Sequence, residues 1–313
     1  MEKNAANYRQ ELKKYGVFYT PLEVAEIMKK YIPFEVEEVY DPTIGQGNLL
    51  KVFDDDVKKY GQEFFQEELD KCSSVLKNFT GVRGDTLKEP GFKDRKFQTI
   101  MSNPPYSVAW EPAMDERFEK CGVLAPKSKA DLAFVLHCLH YLKDDGIAVL
   151  LVFPGILYRG NAEQKIRKWL IENNYIDRVV LVPGDKFVDT KIATNIIVLK
   201  KNKTTTDVVF ENLEHELEKT VSFEEIEKNK FNLSVNTYIE EPREEIKIDI
   251  DELNKTARKG SLRKIEANIG FEAQILNFTN DSEAYLKFLD DIIEICNKYK
   301  KEFLEGEKKE CTL

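Results

Sequence analysis

From about residue 37 to residue 200, short apolar runs alternate with amphipathic ones, and few folds accommodate that order. "EEVYD", "FQTIMS", "GIAVLLVFP", "IDRVVLVP" and "ATNIIVLKKN" read as strands. "EFFQEELDKCSSVLKNF", "KADLAFVLHCLHYLK" and "AEQKIRKWLIENN" carry apolar residues at helical spacing, and "NLLKVF" opens a further helix. Alternation of this kind specifies an α/β fold with a doubly wound, mostly parallel sheet. The last two strands are separated only by "GDKFVDTKI", which has no room for a crossover helix. That pair is therefore expected to be antiparallel, giving the sheet an antiparallel terminal strand.

Composition narrows the class further. At 313 residues the chain can bury a full core, and no apolar run approaches the ~20 residues of a membrane span. The start, "MEKNAANYRQELKKYG", lacks the apolar centre of a signal peptide. Cys72, Cys121, Cys138, Cys296 and Cys311 form no CxxC pair, which favours free thiols and a cytoplasmic location. His137 and His140, three apart on an expected helix, suit a half-buried helix surface, and no metal constellation is expected. After residue 212 the chain turns rich in Glu and Lys, with a capping-box start at Ser222 and Glu225. Tyr285, Phe288, Ile292, Ile295, Tyr299 and Phe303 make a stripe on one helix face, for packing at home or on a partner.

Chemistry concentrates at the expected strand tips. Asp41 ends a strand, and Gly45 and Gly47 then form a tight turn before a helix near Asn48. Glu63 falls where the second strand ends and a carboxylate can receive two ribose hydroxyls. Asp85, in "RGDTL", is placed to accept from an exocyclic amino group such as adenine's. In Asn103-Pro104-Pro105-Tyr106 the prolines end a strand and stiffen a loop that carries an amide and an aromatic ring. Nothing resembles a phosphate cradle. An acid-rich lining suits a cationic nucleoside without phosphates, such as S-adenosylmethionine.

These motifs resemble a known family. Asp-Pro-x-x-Gly-x-Gly, Gly-Gln-Glu, Gly-Asp-Thr-Leu and Asn-Pro-Pro-Tyr, in one collinear run over about residues 15–240, are similar to adenine-specific DNA methyltransferases. More narrowly, the chain resembles the modification (M) subunit of type I restriction-modification systems. The likeness extends to "YGVFYTPLEVAEIM", "PKSKADLAFVLHCLHYL", "GIAVLLVFPGILYRGNAEQKIRKWLI" and "LVPGDKFVDTKIATNIIVLKK".

The resemblance implies a Rossmann-like methyltransferase sheet over residues 37–212. Before it, residues 1–36 form a helical segment in which Thr20 and Pro21 cap the methionine end of the cofactor. After it, residues 213–313 form a helical C-terminal tail that serves as a partner-docking arm. The implied reaction carries a methyl group from S-adenosylmethionine to the amino group of a flipped adenine. Asn103 and the Pro104 carbonyl accept from that amino group, Pro105 stiffens the loop, and Tyr106 stacks on the base. Asp41, Gly45, Gly47, Glu63 and Asp85 hold the cofactor. Expected partners are double-stranded DNA, a separate specificity (S) subunit and a restriction nuclease subunit.

The net charge of −9 agrees with a chain whose grip on DNA comes partly from a partner. Departures from the family pattern are Gln98 for an acid, Asn48 for a small residue, and a short segment ahead of Thr20. Two other readings compete. One is methylation of a planar glutamine amide. The other is a non-catalytic decoy or assembly module, which has no need to hold the cofactor.

Overall fold

The computed structural model describes residues 20–186, 194–240, 250–279 and 281–310. Cys311, the first residues of "YGVFYTPLEVAEIM" and much of "GDKFVDTKI" lie outside them, as does the side chain of Phe303.

Nine strands form one sheet in the order β3-β2-β1-β4-β5-β7-β6-β8-β9. They are β1 Glu38–Asp41, β2 Lys58–Glu63, β3 Phe79–Arg83, β4 Phe97–Ser102, β5 Leu142–Val152, β6 Ile176–Val182, β7 Thr194–Lys200, β8 Val208–Asn212 and β9 Leu217–Val221. Strands β3, β2, β1, β4 and β5 run parallel. The chain lays β1, β2 and β3 outward in one direction and then crosses to β4, so the strand order reverses between β1 and β4. A crevice opens at such a switch point, beyond the carboxyl ends of the strands.

Helices cover both faces. On one, Val24, Ala25 and Met28 of α1 (Leu22–Lys29) and Cys72 of α2 (Gln66–Val75) pack with Val149 and Leu151 of β5. On the other, Ala148 and Leu150 meet α3 (Asp131–Tyr141) and α4 (Asn161–Glu172). Successive β5 residues therefore serve opposite cores, which is why that strand reads as a continuous apolar run. In α3 all but one residue is buried. His137 lies in the core and only His140 is half-buried, which corrects the expectation of a half-buried surface for both.

Three other details differ from the sequence reading. The glycine turn leads into a short 3-10 turn, Leu50–Val52, and β2 follows with no α-helix between. Strand β7 is antiparallel to both its neighbours, as expected, but lies between β5 and β6. The edge strand on that side is β9, itself antiparallel to β8, and β3 forms the other edge. The sheet thus continues past residue 212, and the first compact unit runs to Pro242, taking in α5 (Phe223–Lys228), whose N-cap Ser222 accepts from the Glu225 amide at 3.3 Å.

The second unit, from Arg243, contains α6 (Ile250–Thr279) and α7 (Ser282–Glu310), which touch each other. Tyr285, Phe288 and Ile292 of the α7 stripe are half-buried, whereas Ile295 and Tyr299 are exposed.

Candidate active site

A cavity of about 260 Å³ occupies the switch-point crevice. The tips of β1, β2 and β4 and the loop after β3 contribute Asp41, Glu63, Asn103 and Asp85 to its wall. Thr20, Gly45, Pro104, Pro105 and Tyr106 line it too. Gly47 and Pro21 do not. At Gly47, with φ +76°, a Cβ would come within 2.8 Å of the Cys72 Sγ, so this glycine lets the turn approach α2. Pro21 is the N-cap of α1. Three carboxylates and no lysine, arginine or histidine line the cavity among the described residues.

The carboxylates are also structural. Asp41 Oδ1 accepts from the Thr43 amide at 3.0 Å and from its hydroxyl at 3.4 Å, and that hydroxyl pairs with Ser102 at 2.9 Å. Burial pushes the Asp41 carboxyl up to about 7, against the opposing pull of the Thr43 amide and Ser102. Glu63 receives the Gly45 amide on Oε2 and the Phe65 amide on Oε1, both at 2.9 Å. It therefore clamps the glycine turn to the start of α2. Burial raises its carboxyl as well. Asp85 is exposed and accepts from the Leu87 and Lys88 amides at 3.0 and 3.3 Å, folding its own loop.

On the other wall, Asn103 donates from Nδ2 to Thr20 Oγ1 at 2.9 Å and accepts the Tyr106 hydroxyl on Oδ1 at 2.7 Å. The Thr20 carbonyl accepts Asn48 Nδ2 at 3.0 Å. Thr20 thus joins the glycine turn to the Asn-Pro-Pro-Tyr loop.

Several lining or supporting residues had no signal in the sequence. Phe64, half-exposed, and Leu87 and Phe134 add apolar wall. Buried Arg117 donates to the carbonyls of Thr86 at 3.0 Å and Leu87 at 2.5 Å, which fixes the loop carrying Asp85. It also pairs with Asp115 at 2.6 Å and meets His137 Nδ1 at 3.2 Å. Burial and the Arg117 charge hold His137 neutral, so Nδ1 accepts and Nε2 carries the proton facing the Tyr40 hydroxyl at 3.3 Å. Asp131 accepts the Ser107 amide with both oxygens at 3.1 Å. It stands inside "PKSKADLAF", but a single acid in that run gives no sign of its target.

A family model described as N-6 DNA Methylase matches residues 1–268. The chain belongs to that family. It is 32% identical over 305 residues to the type I restriction enzyme MpnII methylase subunit of Mycoplasma pneumoniae, covering 77% of this chain and 56% of that protein. To the MjaVII methylase subunit of Methanocaldococcus jannaschii it is 26% identical over 300 residues, covering 76% and 52%. The chain spans about half the length of these curated relatives. The crystal structure of the type I restriction-modification system methyltransferase subunit from Streptococcus thermophilus superposes with a TM-score of 0.66 at 33% identity, over 71% of this chain and 59% of that one. In this N-6 DNA methylase chain, most residues of the Asp-Pro-x-x-Gly-x-Gly, Gly-Gln-Glu, Gly-Asp-Thr-Leu and Asn-Pro-Pro-Tyr motifs lie on the walls of the crevice.

Proposed function

We propose that the chain transfers a methyl group from S-adenosylmethionine to the exocyclic amino group of adenine in DNA, as the modification subunit working with a separate specificity subunit. The observation that carries the reading is the crevice itself, lined among the described residues by three carboxylates and no basic side chain, with Asn-Pro-Pro-Tyr at its edge. Such a wall suits a cationic nucleoside and disfavours a phosphorylated one.

When bound, the cofactor supplies a methyl group on a sulfonium, which needs no further activation to leave. Asp41 and Glu63 would hold its ribose and charged end, Asp85 its purine amino group, and Thr20 its methionine end. Phe64 and Leu87 add apolar surface for the purine. On the acceptor wall, Asn103 Oδ1 and the Pro104 carbonyl would take hydrogen bonds from the adenine amino group. Those bonds draw the nitrogen lone pair out of the ring and fix its direction, so catalysis rests on positioning. The Tyr106 ring would stack on the flipped base, worth roughly 1–3 kcal/mol. Its hydroxyl, bonded to Asn103 here, gives up that acceptor as the base arrives.

Leu253, Leu262 and Phe271 of α6, together with Leu286 of α7, are exposed apolar residues of the second unit that a specificity subunit would cover. We test the reading by titrating the full chain with S-adenosylmethionine in a calorimeter. Labelled methyl transfer to DNA is then followed with and without a specificity subunit, and the product base identified. Saturable binding, weak transfer alone and strong transfer in the complex, yielding N6-methyladenine, are expected. No cofactor binding by the folded chain would move the reading to an assembly module. Strong sequence-specific transfer by the chain alone would overturn the division of labour.

A further inference from the structure

The loop expected to receive the base contains a conformation that its own residues do not explain. Ser107, directly after Tyr106, has φ +52°, in the left-handed region that a serine adopts only when something holds it there. Its side chain is exposed. What holds the backbone is Asp131, at the first turn of α3 and only 6% exposed, whose two carboxylate oxygens both lie 3.1 Å from the Ser107 amide nitrogen. The same helix end is laced to the loop twice more, by the Ala130 amide on the Val108 carbonyl at 2.9 Å and the Trp110 amide on the Lys127 carbonyl at 2.9 Å. Behind the carboxylate stands Arg159, which attracts it and lies 3.5 Å from Glu163. The Arg159 guanidinium is 5.2 Å from the Phe153 ring centre, and Phe153 is 6.1 Å from the ring of Tyr106. Tyr106 is thus bounded by Asp131 through the backbone and by Phe153 through its ring.

We propose that Asp131 is a positioning residue of the methyl-transfer site, holding Ser107 in its left-handed conformation and thereby fixing where Tyr106 and Asn103 meet the incoming base. The inference rests on the reading given under Proposed function and adds to it a residue that touches neither cofactor nor base. A carboxylate in the first turn of a helix also favours the helix dipole. That role alone would affect stability and leave the loop unchanged, so the two are separable. Replacing Ser107 by glycine removes the steric objection to φ +52° and makes the conformation accessible without the carboxylate.

The test uses the full chain as wild type, Asp131→Ala, Asp131→Asn, Ser107→Gly and the Asp131→Ala/Ser107→Gly pair. Cofactor affinity is measured by calorimetry, transfer under single turnover in the complex with a specificity subunit, and amide exchange over Tyr106–Val108 by mass spectrometry. Asp131→Ala is expected to bind cofactor like wild type and to lose roughly tenfold to a hundredfold in transfer. Exchange over Tyr106–Val108 should accelerate at least about tenfold. Asp131→Asn, which keeps one acceptor oxygen, should recover most of the transfer, and the paired variant about twofold to fivefold. Parallel loss of cofactor affinity and transfer, or a paired variant no better than Asp131→Ala, overturns the proposal. Should wild type bind no cofactor, or transfer no methyl group in that complex, the functional reading has failed and exchange alone decides. Acceleration confined to Tyr106–Val108 sustains the role of Asp131 in the loop. Unchanged exchange, or protection lost across the whole domain, overturns it.

Discussion

On the side of the crevice formed by β1, β2 and β3, the wall carries acidic side chains that accept backbone amides of the loops around them. On the side formed by the loop after β4 and the start of α3, the polar groups are a neutral amide and a phenol, and the carboxylate of Asp131 holds the loop through the Ser107 amide. The first wall accumulates negative charge at the expense of desolvation, and Asp41 is pushed up to about 7 as a result. The second has no net charge of its own to offer a ligand. This contrast follows from what each wall is proposed to meet. A cation rewards charge, whereas an adenine amino group must be polarised without being protonated, which neutral acceptors achieve. Binding and chemistry should therefore separate by wall.

The largest effect that would break this separation lies at Asn103. Asn103→Ala removes the side-chain acceptor, and transfer should fall by about 10²–10³-fold, in line with the loss of a preorganised polar contact in a transition state. Cofactor affinity should change little. Quench-flow transfer beside calorimetry measures both. An equal fall in affinity would mean that the Asn103 bond to Thr20 matters more than its carbonyl.

Asp41 sharpens the comparison from the other side. With its carboxyl near 7 in the folded chain and near 3.8 ordinarily, the folded state binds the extra proton across that interval. Stability of the ligand-free protein should therefore decline as pH rises from about 3.8 to about 7. A cationic ligand favours the ionised carboxylate. Affinity should accordingly rise with pH up to about 7 and then level, by at most roughly tenfold per unit. Binding at pH 6 should release a proton, detected by titration in buffers of different ionisation enthalpy. Asp41→Asn keeps an acceptor for the Thr43 amide and should abolish that release. Proton release persisting in Asp41→Asn would place the titration elsewhere.

Which parts were legible in the sequence follows from how local their causes are. Asn103-Pro104-Pro105-Tyr106 could be read because proline ends a strand by its own covalent structure. Asp41 and Glu63 could be read because strand ends are marked by where apolar runs stop. Asp131 and Arg117 could not, since their partners are backbone groups, the Ser107 amide and the Thr86 and Leu87 carbonyls, which no residue type announces. Strand β3, "FTGVR", escaped because it is an exposed edge with no buried residue to give it a period. The position of β7 was misread although a signal existed. Six consecutive buried residues, Thr194–Leu199, require partners on both faces and suit an interior strand better than an edge.

Asn48→Ala should have the smallest effect, and it bears on the residue shared by the two walls. Asn48 fixes the Thr20 carbonyl from the glycine turn, while Asn103 fixes the Thr20 hydroxyl from the acceptor loop. A neutral, half-buried hydrogen bond is worth about 0.5–1.5 kcal/mol. Losing it should weaken S-adenosylmethionine binding by roughly twofold to tenfold, because Thr20, the proposed cap on the methionine end, would lose one of its two anchors. At saturating cofactor the transfer rate should be unchanged, because the Asn103–Thr20 bond remains. If that rate falls instead, Thr20 passes disorder from one wall to the other. The walls would then be a coupled unit, in which filling the cofactor side helps to set the acceptor amide for the base.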